Sequence, residues 1–239
     1  MADKTGILEK LSSDIGYHLL DQQMNQFNDF YEMLVEKNKV MNLTAITEYD
    51  EVVLKHFIDS IVIYKRISED NVESIMDVGT GAGFPGIPLK ILFPEIRLTL
   101  LDSLNKRILF LNEVIHNLGL ENIECIHGRA EDIGHLPEYR EQYDLTVSRA
   151  VANLSSLSEY CIPFVRVGGK FISYKSGNID DELNDAKTAI HLLGSGIEDV
   201  EKYTLPDSDM QRSIVVIRKE KKLSNKYPRK AGMPAKQPL

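Results

Sequence analysis

Apolar positions change their period once along this chain, near residue 74, and the change divides it. Before that point the spacing is helical. Gly6 to Ile15 is a short amphipathic piece, and His18 to Val40 repeats Leu19, Met24, Phe27, Phe30 and Leu34 on one stripe. Asn42-Leu43-Thr44-Ala45-Ile46-Thr47 interrupts the pattern as a loop. Glu51 to Ile67 resumes it with Val52, Val53, Phe57, Ile61 and Tyr64. After Glu73, short apolar runs alternate with amphipathic ones. The runs predict strands at 74–78, 96–101, 122–127, 143–148 and 169–174, and helices at 85–93, 105–118, 153–166 and 180–193. A final pair, about 197–205 and 212–218, ends the sheet. Such alternation predicts an α/β fold, Rossmann-like, with a mostly parallel sheet covered on both faces. Three regions follow: a helical extension over 1–67, a sheet domain over 68–218 and a tail over 219–239.

The chemistry concentrates after the first predicted strand, in Asp77-Val78-Gly79-Thr80-Gly81-Ala82-Gly83-Phe84-Pro85-Gly86. Glycines there let bare backbone approach a ligand, and nucleotide-type cofactors bind at such a turn. Two registers compete. Gly81 to Gly86 matches the dinucleotide pattern G-x-G-x-x-G literally, which favours an NAD(P)-dependent oxidoreductase. Asp77 to Gly83 reads instead as acidic-x-Gly-x-Gly-x-Gly, the pattern of S-adenosylmethionine (SAM) methyltransferases. Charge separates them. A pyrophosphate avoids a nearby carboxylate, whereas the cationic sulfonium and ammonium of SAM are favoured by one such as Asp77. Asp102 ends the next strand about 20 residues on, the distance at which a carboxylate reaches ribose hydroxyls in either case.

Composition bounds the setting. The two cysteines, Cys125 and Cys161, lie in apolar surroundings, which argues against a disulfide framework or a zinc site. No apolar run is long enough to span a membrane, and the start does not read as a signal peptide, so a soluble cytoplasmic protein is expected. The net charge of −8 looks unsuited to nucleic acid until it is divided. From Arg212 onward there are nine Lys or Arg against Glu220 alone, leaving +8 there and −16 on the rest. An acidic body with a basic tail points to a polyanion contacted locally. Pro228, Pro234 and Pro238 oppose a helix, so the tail is expected to be extended and mobile until it meets such a polyanion, and not needed for SAM.

Several separate pieces together resemble one family, the bacterial small-subunit rRNA guanine-N7 methyltransferases of the glucose-inhibited division protein B type. They are Met41 to Thr44, His56 to Ser60, Asp77 to Pro88, Leu101-Asp102-Ser103 with Lys106-Arg107, and Gly128 to Glu131. Ser148-Arg149-Ala150, Tyr174 to Gly177 and Tyr227 to Pro234 complete the set, so the likeness covers nearly the whole chain. The resemblance implies a seven-stranded sheet whose last strand is inserted antiparallel. It also implies transfer of a methyl group from SAM to N7 of a single guanine in 16S rRNA, with the small ribosomal subunit as partner and no metal, DNA or membrane. On the same likeness, Gly79, Gly81, Gly83 and Phe84 carry the methionine end of SAM. Asp102 and Ser103 hold its ribose, and Ala130 and Glu131 border its adenine. Asn42, His56, Arg229 and Lys230 become candidate substrate contacts.

What is missing also speaks about mechanism. The position after the fourth strand reads Ser148-Arg149-Ala150 rather than Asn/Asp-Pro-Pro-aromatic, and neither cysteine falls in a predicted loop. Guanine N7 needs neither device, because it already offers a lone pair. Arg149 and Lys175 follow the fourth and fifth strands, at the lip where ligands bind such sheets. Either can donate to O6 and orient the base, provided N7 stays free. Arg149 can equally lie against SAM or a phosphate, and a salt bridge at the sheet edge is the plain structural alternative. A non-catalytic ribosome-binding factor and a small-molecule methyltransferase complete the alternatives.

Overall fold

The computed structural model describes residues 4–239. Its sheet has the order β3-β2-β1-β4-β5-β7-β6. The strands are β1 (Ser74–Val78), β2 (Arg97–Asp102), β3 (Ile123–His127), β4 (Tyr143–Arg149), β5 (Val165–Ser176), β6 (Ser195–Thr204) and β7 (Gln211–Lys219). β1 to β5 pair in parallel, and β7 runs antiparallel between β5 and β6. The strand order reverses between β1 and β4, so the crevice at their carboxyl ends is where a ligand fits.

Five helices connect the sheet: α6 (Gly86–Leu92), α7 (Asn105–Asn117), α8 (Ala130–Ile133), α9 (Leu154–Cys161) and α10 (Asp180–Leu192). The extension supplies α1 (Lys4–Asp14), α2 (Asp21–Met41), α3 (Tyr49–Val52), α4 (Asp59–Ile61) and α5 (Tyr64–Glu69). Its second predicted helix, Glu51 to Ile67, is not continuous. Val53–Ile58 is a π-helical turn between α3 and α4. Such wide turns break the one-sided helical stripe that the sequence suggests, and they recur at functional sites. Phe27 and Phe30 from α2 meet Phe57 at centroid distances of 4.9 and 5.7 Å. Phe30 also lies 5.2 Å from Phe84 of the glycine turn. Burying each ring stabilises by about 1.5–3 kcal/mol, so this cluster fastens the extension to the turn it overhangs.

Two expectations fail for stated reasons. The helix predicted over 153–166 stops at Cys161, and Ile162–Phe164 is a 3-10 turn. Pro163 cannot donate to a helical ladder, and Val165 already begins β5. The tail, expected to be extended and mobile, is folded onto the body. Leu223, Tyr227, Pro228 and Pro234 are buried, and α11 (Met233–Lys236) closes the chain. Arg140 donates to the carbonyls of Tyr227, Leu223 and Ser224 at 2.9–3.3 Å. Charge counting sees cations but not the carboxylates that await them.

Candidate functional site

Two clefts open at the carboxyl ends of the parallel strands. The first, of about 310 Å³, is lined by residues that include Gly79, Asp102, Ser103, Ala130 and Glu131. These come from the ends of β1 and β2 and the start of α8. Asp102 is almost fully buried. Its Oδ2 accepts from the Gly81 N–H at 2.9 Å and from Arg107 at 3.1 Å, while Oδ1 accepts from the Leu104 N–H at 2.9 Å. One carboxylate thus fixes the glycine turn and the edge of the next loop together. The cleft size suits a nucleoside-sized ligand, and the acids and backbone amides around it suit an adenosine with two hydroxyls and an amine.

The glycines have different tasks. Gly79 and Gly81 adopt φ of 72° and 62°, the left-handed region. A Cβ on Gly81 would meet nothing closer than the Gly79 carbonyl at 4.0 Å, so that face is open to a ligand. Gly83 faces inward, where a Cβ would lie 2.7 Å from Ile87 and 2.9 Å from Leu111. The absence of a side chain there is required by packing. Phe84 is likewise buried among aromatics and lines neither cleft.

Asp77 also stands behind the site rather than in it. It is fully buried, and its Oδ2 accepts the Gly86 N–H at 2.9 Å. Burial pushes the carboxyl up to about 7, against the Thr80 hydroxyl and the Gly86 amide, which pull it down. It anchors the turn from beneath. The same bond weakens the oxidoreductase reading. A carboxylate already holds the first amide of α6, where a dinucleotide would place its pyrophosphate.

The second cleft, of about 630 Å³, is lined among others by Lys55, His56, Asp59, Arg149, Lys175, Glu182 and Arg212. Arg149 leaves the end of β4 and is held by the extension and the glycine turn. Nη1 lies 3.2 Å from Asp59 Oδ2 and donates to the Lys55 and His56 carbonyls at 3.4 Å. Its guanidinium sits 5.1 Å over the Phe84 ring. Asp59 Oδ1 accepts the Tyr203 hydroxyl at 3.1 Å and lies 3.3 Å from Arg212 Nε. The π-helical turn is what aims these carbonyls and Asp59 at one point.

His56 stacks on Phe84 at 4.7 Å, with Nε2 2.9 Å from the Thr44 hydroxyl and Nδ1 3.5 Å from Arg149 Nη2. Burial and the Arg149 charge hold it down to about 4. A neutral ring with its proton on Nε2 satisfies both neighbours. Lys175 donates to the Ala152 carbonyl at 2.8 Å and to Glu182 at 2.6 Å.

The structure thus gathers Arg149, Lys175 and His56 in one cleft and Gly79, Asp102, Ser103, Ala130 and Glu131 in the other. Asn42 joins neither; it is exposed at the left-handed cap of α2, with φ of 49°. Lys230 is exposed. Arg229 is not offered to a substrate. Its fork grips Glu159, which is fully buried, at 2.7–3.1 Å. Sequence reasoning left Tyr203, Arg212 and Thr44 without a role in this site. Their signal was weak, since each joins the site only through folding from a distant element.

The family model for rRNA small subunit methyltransferase G (GidB) matches residues 23–215, from α2 through β7. The chain belongs to this family. The ribosomal RNA small subunit methyltransferase G of Acetivibrio thermocellus is 52% identical over 228 residues, covering 95% of this chain and 93% of its own. That of Lachnoclostridium phytofermentans is 48% identical over 239 residues, 100% of this chain and 98% of its own. Among solved structures, NSun6 from Pyrococcus horikoshii, determined with SFG, superposes with a TM-score of 0.54 at 15% identity. It covers 69% of this chain and 52% of its own length, a likeness of fold alone. Membership makes the chain a SAM-dependent methyltransferase. No helix among the described residues is long and apolar enough to cross a membrane.

Proposed function

We propose that this chain transfers the methyl group of SAM to N7 of one guanine in the 16S rRNA of the small ribosomal subunit, in the cytoplasm. The observation that carries the reading is the shared wall between the clefts. Val151 lines the first cleft, and Ala150, Ala152 and Asn153 line the second. A cofactor on one side of this segment and a base on the other meet across it.

SAM supplies an electrophilic methyl on sulfur when bound. Asp102 and Glu131 serve as acceptors for ribose and adenine, with Gly79, Gly81, Ser103 and Ala130 giving backbone approach. In the second cleft Lys55, Arg149, Lys175 and Arg212 face Asp59 and Glu182, and with Lys55 also paired to Glu51 one cation is left in excess. That excess favours a phosphate-bearing nucleotide. Asp59 and Glu182 are already held by cations, and His56 is neutral and committed to Thr44. No group there is poised to remove a proton. N7 needs none removed, so alignment and exclusion of water suffice.

Labelled methyl transfer to naked 16S rRNA, isolated small subunits and whole ribosomes tests this directly. The product should be cut at one guanine by reduction followed by aniline, because N7 methylation makes the ring labile. Recovery of only N2-methylguanine or a methylated pyrimidine overturns the assignment.

A further inference from the structure

The tail is built into the first cleft. Gly232 lines it beside Asp102, Ser103 and Glu131, and its N–H donates to Glu131 Oε1 at 2.8 Å. Three further anchors hold the segment there. Arg229 and its own backbone N–H both bind the buried Glu159 carboxylate, the latter at 2.7 Å. Ser156 donates to the Pro234 carbonyl at 2.7 Å, and His135 Nε2 lies 2.8 Å from the Pro228 carbonyl. Glu159 and Ser156 belong to α9, which follows directly on the segment between the two clefts.

We propose that residues 224–239 form a wall of the cofactor site and that their docking is coupled to cofactor binding. With Oε1 held by the Gly232 amide, Glu131 is fixed in orientation and keeps Oε2 to accept the adenine amine. A carboxylate lacking that amide would have to be ordered by the ligand itself, at a cost in affinity. Arg229 is the anchor, because removing it leaves a buried charge uncompensated. Coupling is reciprocal: what the tail contributes to cofactor affinity, the cofactor returns as protection of the tail.

This rests on the first cleft being the cofactor site, and the experiment separates the two. Calorimetry with S-adenosylhomocysteine compares the full chain, Asp102→Ala, and a chain ending at Leu223. Hydrogen exchange on the intact protein follows the amides of residues 226–236 with and without the same ligand. Truncation should weaken binding by about 5–150-fold, the usual span of such couplings, and the ligand should slow exchange of Gly232 and its neighbours by a like factor. Full affinity in Asp102→Ala would remove the cleft assignment. Loss in Asp102→Ala, with tail amides unchanged by saturating ligand, would overturn the coupling alone. The exchange measurement decides even if the shortened chain fails to fold.

Discussion

Arg149 acts through the shape of its fork more than through its charge. The side chain touches Asp59, two carbonyls and the face of Phe84 at once, and only a planar guanidinium meets all of them. Arg149→Lys should therefore be nearly as damaging as Arg149→Ala, each lowering single-turnover methyl transfer by roughly 10²-fold, the scale of a small misplacement. Affinity for S-adenosylhomocysteine should hold, since Arg149 lines the other cleft. Recovery of most activity by Lys would reduce the residue to a point charge. Asp77 offers a test of the opposite kind, where charge is the burden. Its carboxyl titrates near 7 in the folded chain against an ordinary value of 3.8. Between those values the folded state holds a proton the unfolded state has lost, so stability from this group falls as pH rises. Asp77→Asn keeps an acceptor for the Gly86 N–H and cannot ionise. Its melting temperature relative to the parent should rise between pH 5 and pH 8, by ~4 °C or more. A pH-independent difference would show that the carboxyl ionises without cost.

The glycine turn shows how one element divides its labour between ligand and core. Gly81→Val places a β-branched residue at φ of 62°, a strained conformation costing about 1–3 kcal/mol, and shifts the amide that orients Asp102. Cofactor binding should be lost, with the melting temperature lowered by roughly 2–12 °C by that strain. Gly86→Ala should act mainly on stability, because its Cβ would lie 2.4 Å from Leu100 and 2.7 Å from Asp77 Oδ2. If calorimetry finds Gly81→Val binding like the parent, the open face of the turn does not receive the cofactor. This turn, the alternating strands and Asp102 were legible because each is a local pattern with a local cause. Gly79, Asp102, Ser103, Ala130 and Glu131 of the first cleft were legible in this way, whereas Val151, Tyr160 and Gly232, which line it too, come from distant segments. The π-helical turn was not legible, since Val52, Val53, Phe57 and Ile61 fit an ordinary helical stripe equally well. With it went the convergence of Asp59, His56 and two carbonyls on Arg149. Tyr203 and Arg212 meet Asp59 only because β7 is inserted beside β5, a long-range pairing that no local spacing encodes.

At the scale of the whole molecule, the fold redistributes the charge that the sequence piles at its end. Nine cations follow Arg212, counting it, against Glu220 alone. Four are matched by carboxylates: Arg212 by Asp59, Arg218 by Glu198 at the surface, Lys219 by Glu141 and Arg229 by Glu159. Lys221, Lys222, Lys226, Lys230 and Lys236 stay exposed. The basic end is thus two things at once, a set of cations paired with carboxylates, three arginines and Lys219, and an outer surface of five lysines that stay exposed. They should separate by mutation. Changing the five lysines to Gln leaves every anchor of the tail in place, so S-adenosylhomocysteine affinity should match the parent. RNA affinity should fall, and each lost phosphate contact should flatten the salt slope by about 0.7 on single-stranded RNA. Five contacts set the ceiling, roughly 3.5 in all. Arg229→Ala should give the mirror image, weaker cofactor binding from the loosened wall with the salt slope nearly intact. Filter binding across a salt series, run beside calorimetry on the same two variants, reads both quantities. A slope unchanged by removing all five lysines would mean that the RNA is held by the cations of the second cleft, and that the lysines only keep the tail in water.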